Sequence, residues 1–322
     1  MIIGFVMDGL SGLPFGEALD WVAEHGIEAV EVATGGFSQV THCDKTRLLE
    51  DRSYREQFKE AIERRGLVLS ALNCNGNPLD PDPGRRDHKD DLLRTIEIAA
   101  LLGLDTVVTM SGCPGTPDGS KYPNWVVQPF PPVFTELLKW QWEQVVTPFW
   151  IDLGRLATEH GVRIAIEMHP GMVVYNPTTL MRLREIAGPA IGANFDPSHM
   201  FYQGIDPPEV VRTLGRDFIF HVHAKDTVIN PYKRAFSGVL DTRPMTQVAE
   251  RSWAYRTLGF GHDARWWSEF ISALRMAGYD GALSIEHEDS VMSAKEGVLK
   301  SVEFLQSVIV RTQPDANVAW AT

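Results

Sequence analysis

A chain of 322 residues, 44% of them hydrophobic and 22% charged, can bury a substantial core. Its formal net charge of −12 argues against a nucleic-acid or anionic-membrane surface, because such partners require a basic patch. The cysteines Cys43, Cys74 and Cys113 lack the spacing of a disulfide framework or zinc site, which favours a reducing, cytoplasmic setting. We expect no signal peptide and no membrane-spanning helix, since Asp8 interrupts the apolar start and no apolar run reaches about 18 residues.

Short apolar segments alternate along the chain with segments of helical periodicity, a pattern typical of parallel strands covered by helices. The predicted strands are residues 2–6, 29–33, 67–72, 106–109, 162–167, 190–195, 218–223 and 282–286. The predicted helices are residues 14–25, 53–65, 90–102, 136–160, 177–187, 207–214, 264–277 and 293–310. Ser53 is the expected cap of the second helix, and Pro148 is expected to kink or split the fourth.

Eight such units predict a single α/β domain over residues 1–322, closed into a (β/α)8 TIM barrel, with a polar tail at residues 310–322. The connections after strand 4 (residues 111–132) and strand 7 (residues 224–263) exceed the usual βα loop of about two to six residues. A doubly wound open sheet is the alternative, but no glycine-rich phosphate fingerprint follows the first strand.

Four of the later strands each end in a carboxylate or an imidazole. In a barrel of this kind the active site lies at the carboxyl ends of the strands, and side chains alternate between the interior and the helix layer. Polar and bulky apolar residues take opposite parity in each strand, which brings Glu167, Asp196, His223 and Glu286 to matching depth. Three converging carboxylates could not all stay ionised without a cation. The set predicts one divalent metal ion, Mn²⁺ with Mg²⁺ or Co²⁺ as alternatives, unless each residue is an isolated polar strand end.

Five stretches of the chain carry a resemblance to a known family. They are IEMHPG at 166–171, NFDPSH at 194–199, HVHAKD at 221–226, YRTLGFGH at 255–262 and LSIEHED at 283–289. They resemble the sugar phosphate isomerase/epimerase-like TIM barrels, which are related to xylose isomerase and the ketose 3-epimerases. The resemblance implies a metal-dependent enzyme that removes a proton next to the carbonyl of a sugar or keto-sugar, through a metal-bound enediolate.

The resemblance also implies roles for individual residues. The metal set of the family falls on Glu167, Asp196, His223 and Glu286, and both glutamates are expected to exchange the proton as well. His221 lies one layer deeper than His223 and is expected to be a packed or supporting group.

Further catalytic and substrate-binding candidates lie beside these ligands. His199 is expected to reach a substrate hydroxyl, with a structural hydrogen bond as the alternative. His169 is a candidate general acid or base, with a buried loop position as the alternative. Other candidates for substrate contact are Lys225, Arg256, His262 and Trp125. The loop that carries Trp125 could instead form an oligomer interface.

Three other functions stay open at this point. A β-elimination lyase acting on 3-keto-glycosides, including a C-glycoside deglycosidase subunit, would use the same proton abstraction, and the long loops suit a bulky substrate. An AP-endonuclease-like DNA repair enzyme shares the Asp-x-x-His and His-x-x-Asp motifs, but the net charge of −12 opposes it. A non-catalytic subunit is the third. The expected partners are a small carbohydrate and further copies of the chain, with a second kind of subunit as an alternative. No nucleic acid and no membrane is expected as a partner.

Overall fold

Eight parallel strands close into a barrel in this computed structural model, which describes residues 1–312. The barrel strands are β1 (Ile2–Val6), β2 (Ala29–Ala33), β3 (Val68–Asn73), β4 (Thr106–Met110), β5 (Arg163–Glu167), β6 (Ile191–Phe195), β7 (Ile219–Ala224) and β10 (Ala282–Ile285). Two further strands, β8 (Asp226–Ile229) and β9 (Trp253–Arg256), form a separate antiparallel pair. Each barrel strand pairs with its sequence neighbours and β10 closes against β1, which confirms the predicted single-domain TIM barrel.

Helices surround the barrel and bury their apolar stripes against it. They are α1 (Phe15–Glu24), α2 (Lys45–Glu50), α3 (Arg52–Glu63), α4 (His88–Leu102), α5 (Pro132–Trp140), α6 (Thr147–Glu159), α7 (Pro177–Ala187), α8 (Ser198–Phe201), α9 (Pro207–Leu214), α10 (Pro231–Ser237), α11 (Ala264–Met276) and α12 (Ala294–Val308). A 3₁₀ turn, Met7–Leu10, follows β1. In α1 the buried residues are Ala18, Leu19 and Val22, the spacing that turns one face of a helix inward.

The main apolar core lies between the strands and the helices. Ile164 and Ile166 of β5 belong to it, whereas Ala165, of opposite parity, packs with Ala71 and Val108 in a small separate layer inside the barrel. The polar strand ends stand on the same parity as this inner layer. This small apolar layer on β3, β4 and β5 therefore lies below the polar side chains at the carboxyl ends of the strands.

Two helix predictions differ from the structure in detail. α3 begins at Arg52, and its cap is Asp51, whose carboxylate accepts the N–H of Tyr54 at 3.1 Å. The predicted cap Ser53 is therefore wrong, because the carboxylate two residues earlier already holds the third N–H of the helix. The predicted helix 136–160 is divided into α5, a π-helical segment Gln141–Val146, and α6, with Pro148 in the first turn of α6.

The long connection after β7 contains structure of its own, namely β8, α10 and β9. Asp226 ties its far end to the barrel: Oδ2 accepts the backbone N–H groups of Gly259, Gly261 and His262 at 3.2, 3.0 and 2.9 Å. A Cβ on Gly261 would lie 2.5 Å from Oδ1 of Asp226, so the approach requires glycine there. One buried carboxylate thus anchors the loop beside the strand ends.

Several aromatic side chains on the two long loops face outward. Phe130 is 78% exposed, Tyr232 85% and Phe236 92%. Such side chains are compatible with the predicted oligomer, which stays a prediction. The predicted polar tail at 310–322 lies mostly outside the described residues. Among the residues described, no helix has both the length and the apolar character needed to cross a bilayer.

Replacing Asp226 by alanine should destabilise the fold, because three backbone N–H groups of the loop would lose their common buried acceptor. We expect a loss of about 2–4 kcal/mol in the free energy of unfolding, measured by urea denaturation. Asp152→Ala, an exposed position on α6, serves as the control and should change stability by less than about 0.5 kcal/mol. Equal unfolding midpoints for Asp226→Ala and the wild type would contradict the anchoring role.

Candidate metal centre

The four residues predicted as metal ligands meet at the carboxyl ends of consecutive barrel strands. Glu167 ends β5, Asp196 follows β6, His223 lies near the end of β7 and Glu286 follows β10. Each offers one ligand atom, and these atoms all lie within 4.8 Å of one another. The first three side chains are buried, and that of Glu286 is 18% exposed.

The donor atoms of this group fit a cation. Nδ1 of His223 lies 3.3 Å from Oε2 of Glu167 and 3.2 Å from Oε2 of Glu286. Neither this nitrogen nor Oδ2 of Asp196 makes a well-formed hydrogen bond to any described residue, although both atoms are buried. Two ligand atoms about 2.1 Å from one ion and roughly 90–110° apart are about 3.0–3.4 Å from each other. The cluster can therefore hold one divalent ion.

Glu167 is the most firmly held of the ligands. Its Oε2 accepts hydrogen bonds from the side-chain amides of Asn75 at 2.8 Å and Asn194 at 3.1 Å, and its Oε1 lies 3.1 Å from Nε2 of His199. Burial alone raises the pKa of Glu167, but the adjacent imidazoles of His199 and His223 hold that pKa well below its ordinary value. The carboxylate is thus ionised and fixed in place.

Sequence reasoning missed Asn75, which reaches Glu167 from the loop after β3. Its backbone carbonyl accepts the N–H of Phe37 at 2.7 Å. The neighbouring Gly36 has φ +70°, and a Cβ there would lie 2.0 Å from the same carbonyl oxygen. The signal available in the sequence was the set of alternating asparagines, Asn73, Asn75 and Asn77, that directly follows the third predicted strand.

His199 lies between two of the ligands. Its Nε2 is 3.1 Å from Oε1 of Glu167 and 3.2 Å from Oδ2 of Asp196, and its Nδ1 is 2.9 Å from the hydroxyl of Tyr255. Burial lowers the pKa of His199, but the charge of Asp196 together with the hydrogen bonds to Asp196 and Glu167 raises that pKa to about 9. Tyr255 was not predicted as a site residue, because it comes from β9 in the long loop.

Lys225 places a buried ammonium beside the same group. Its Nζ lies 2.9 Å from Oε2 of Glu286 and 3.7 Å from Oδ2 of Asp196, contacts Glu288, and stands 4.4 Å from the centroid of the Tyr255 ring. Burial lowers the pKa of Lys225, but the surrounding carboxylates raise it well above its ordinary value. A divalent ion and this ammonium together would balance the three carboxylates of the ligand set.

A cavity of about 350 Å³ opens onto the ligands. Its polar side is formed by Asp8, Glu167, Glu286, Glu288, Asn73, Asn75 and Ser38, and its apolar side by Val6, Phe37, Met110 and Met172. Lys225 and His169 complete the lining. Burial and the neighbouring His199 lower the pKa of His169 to about 4, so it is neutral at pH 7. A larger groove, about 640 Å³, lies near the amino ends of β6 and β7, away from the ligands.

Of the five predicted substrate-binding residues only Lys225 lines this cavity, and the buried His199 lies behind the lining with Arg256, His262 and Trp125. Arg256 donates to Asp289 at 3.0 Å, and the ring of His262 lies 2.8 Å from the Asp226 carboxylate. Trp125 packs behind the apolar wall. His199, His169 and Lys225, in contrast, are brought together with the four ligands. All of these substrate and catalytic roles stay predictions.

A family model described as a xylose isomerase-like TIM barrel matches residues 19–308. The chain belongs to the xylose isomerase-like TIM barrel family. Among curated proteins, the uncharacterized protein YfiH of Bacillus subtilis (strain 168) is 43% identical over 312 residues, covering 96% of this chain and 99% of YfiH. Inosose dehydratase of Bacillus anthracis is 29% identical over 180 residues, which cover 54% of this chain and 56% of the relative.

Solved structures share the same xylose isomerase-like fold. The crystal structure of IolI, a protein with a bound zinc atom, matches with a TM-score of 0.63 at 18% identity, covering 96% of this chain and 98% of IolI. A sequence identity this low shows that the two proteins share a fold, but it does not show that they share an activity.

Purified protein stripped with a chelator should rebind one divalent ion per chain, because the four ligand atoms converge on one point. Asp196→Asn removes one anionic ligand and should weaken binding of Mn²⁺ by at least roughly a hundredfold, measured by isothermal titration calorimetry. Asp206→Asn, at an exposed position before α9, is the matched control and should bind as the wild type does. Undiminished binding by Asp196→Asn would rule out this ligand set.

Proposed function

We propose that this protein is a divalent-metal-dependent enzyme of the isomerase or epimerase type, which removes a proton next to the carbonyl of an uncharged sugar or keto-sugar. The observation that supports this most directly is the placement of Glu167 and Glu286. They come from β5 and β10, flank Asp196 and His223 in the order of the barrel, and both line the cavity. A substrate carbon held between them could be approached by a carboxylate on either side.

The two glutamates differ in freedom, which suggests different roles. Glu167 is held by two asparagine amides and a histidine, so its carboxylate has little freedom to move. Its main role would then be to bind the ion and orient the substrate. The Glu286 side chain is partly exposed to the cavity and pairs with the buried ammonium of Lys225 at 2.9 Å. Lys225 can orient the Glu286 carboxylate at the cavity, and His199 can hold the Glu167 carboxylate in place. A bound divalent ion would polarise the carbonyl and stabilise negative charge on its oxygen.

For the ion itself we propose Mn²⁺, with Mg²⁺ or Co²⁺ as alternatives. Three carboxylates and one imidazole make a mostly oxygen donor set, which suits these ions. The zinc atom in IolI makes Zn²⁺ the main competitor. Elemental analysis of protein isolated without added metal distinguishes them.

The charge of the cavity argues for an unphosphorylated substrate. Its lining carries the carboxylates of Asp8, Glu167, Glu286 and Glu288, whereas the one cation among the lining residues, Lys225, is already paired with two of them. Two like charges about 6 Å apart repel by about 2.8 kcal/mol at an effective dielectric constant near 20. The same repulsion opposes the DNA backbone required by the AP-endonuclease alternative.

β-Elimination from a 3-keto-glycoside is the second candidate. It begins with the same proton abstraction and then expels a group from the adjacent carbon. The partial similarity to a protein named inosose dehydratase favours it, since dehydration is an elimination. The cavity of about 350 Å³ also has room for a sugar ring that carries a substituent.

Proton exchange in D₂O, followed by NMR on a panel of ketoses and 3-keto-glycosides, tests the proposal. We expect deuterium at the carbon next to the carbonyl, and epimerised or eliminated products then tell the two candidates apart. Glu286→Gln should reduce exchange by at least roughly a thousandfold, because it removes the base. Glu97→Gln, exposed on α4, is the control and should exchange normally. A protein that binds metal but exchanges no proton on any of these sugars would favour a non-catalytic subunit.

Phosphorylation of an accepted sugar should weaken its use. Between a ketose and its phosphate ester we expect kcat/KM to fall by roughly a hundredfold for the ester, which corresponds to about 2.7 kcal/mol. Glu288→Gln removes one carboxylate from the lining, so it should reduce the difference in kcat/KM between the ketose and its phosphate ester. A preference for the ester in the wild type would refute the unphosphorylated substrate.

A further inference from the structure

A buried carboxylate of β2, Glu31, lies below the metal ligands and was not singled out in the sequence. It is fully buried in the barrel interior. Its Oε1 lies 2.6 Å from the amide nitrogen of Asn73 and 3.0 Å from Nε2 of His223, and its Oε2 lies 2.7 Å from Nε2 of His221. Two imidazoles and one amide therefore surround a single carboxylate, each presenting a nitrogen at hydrogen-bond distance.

The contact with His223 determines which ring nitrogen of that residue carries a proton. Nε2 lies 3.0 and 3.1 Å from the two oxygens of Glu31, so this nitrogen is the one that donates. In the neutral ring the other nitrogen, Nδ1, then holds the lone pair. Nδ1 is the atom that faces Glu167 and Glu286 at 3.3 and 3.2 Å. A lone pair turned toward two carboxylates is stabilised by positive charge between them, supplied by a metal ion or by a second proton on the ring.

We propose that Glu31 is a positioning residue for the metal centre. It accepts the Nε2–H of His223 from across the barrel, fixes the ring orientation and tautomer, and so directs the Nδ1 lone pair toward the ion. This role rests on the proposed metal-dependent function. It adds a supporting residue from β2 to a centre whose candidate ligands come from β5, β6, β7 and β10. Carboxylates that hold a metal-binding histidine in this way typically contribute about 10- to 100-fold to metal affinity.

Glu31, His221 and His223 also lie close enough together to hold an ion of their own. Hydrogen bonds argue against that second use. Both oxygens of Glu31 already accept from donors at 2.6–3.1 Å, and Asn73, which brings an N–H, cannot serve as a ligand through that atom. The cluster is saturated as a hydrogen-bonded group, so we expect one ion per chain.

Calorimetric titration of metal-stripped protein with Mn²⁺ tests the role of Glu31. In Glu31→Gln an NH₂ group replaces one acceptor oxygen amid three donors, and we expect Mn²⁺ binding to weaken by roughly 10- to 100-fold while the stoichiometry stays at one. Ser284→Ala is the matched control: the Ser284 hydroxyl lies 3.1 Å from His221 at similar depth, and we expect affinity within about threefold of the wild type.

A second measurement needs no variant. In the Zn²⁺-loaded wild type, ¹⁵N NMR of the histidine rings should show His223 protonated at Nε2 and bound through Nδ1. This readout keeps the proposal testable if Glu31→Gln does not fold.

The outcomes separate the two proposals. Wild-type protein that binds no divalent ion would overturn both the proposed function and the role of Glu31. Binding by the wild type together with unchanged affinity in Glu31→Gln would overturn the positioning role alone, as would metal bound through Nε2 of His223. Two ions per chain, one of them lost in Glu31→Gln, would make Glu31 a ligand and also overturn the role proposed here.

Discussion

Repulsion among carboxylates gathered at one end of the barrel is the constraint on which the site depends. Glu167, Asp196 and Glu286 bring ligand oxygens within 4.8 Å of one another, and Glu31 lies directly beneath them. Each negative group has a specific partner: asparagine amides, a histidine or the buried ammonium of Lys225. Two buried atoms at the common centre, Oδ2 of Asp196 and Nδ1 of His223, have no hydrogen-bond partner among the described residues, and a cation there would satisfy them.

This constraint also links distant parts of the chain. β2 supplies Glu31, the loop after β3 supplies Asn75, and β9 supplies Tyr255. Each contacts a residue far away in sequence, and closure of the barrel brings these residues together. The metal centre is therefore a property of the closed barrel rather than of any one strand and its loop.

The fold and the convergence of the four candidate ligands could be predicted because both depend on local patterns. Strand parity places Glu167 and Asp196 on the inner face whatever the rest of the chain does, and the alternation of strands and helices predicts the barrel. Glu31 could not be found in this way, since a lone glutamate in a short apolar strand also fits a polar strand end. Its partners lie about 190 residues away in the sequence, and only the closed barrel brings them together. Ser53 shows the same limit on a small scale, because two neighbouring residues could both cap α3 and local geometry selected Asp51.

The anchor at Asp226 has a consequence for how such a protein can diversify. The segment between β8 and β9 is held at its base by strand pairing and, just beyond β9, by the contacts of Asp226 with Gly259 and Gly261. Insertions or exchanges in the middle of that segment would leave the base, and with it His223, in place. A lineage could therefore remodel this segment while inheriting the candidate metal centre unchanged.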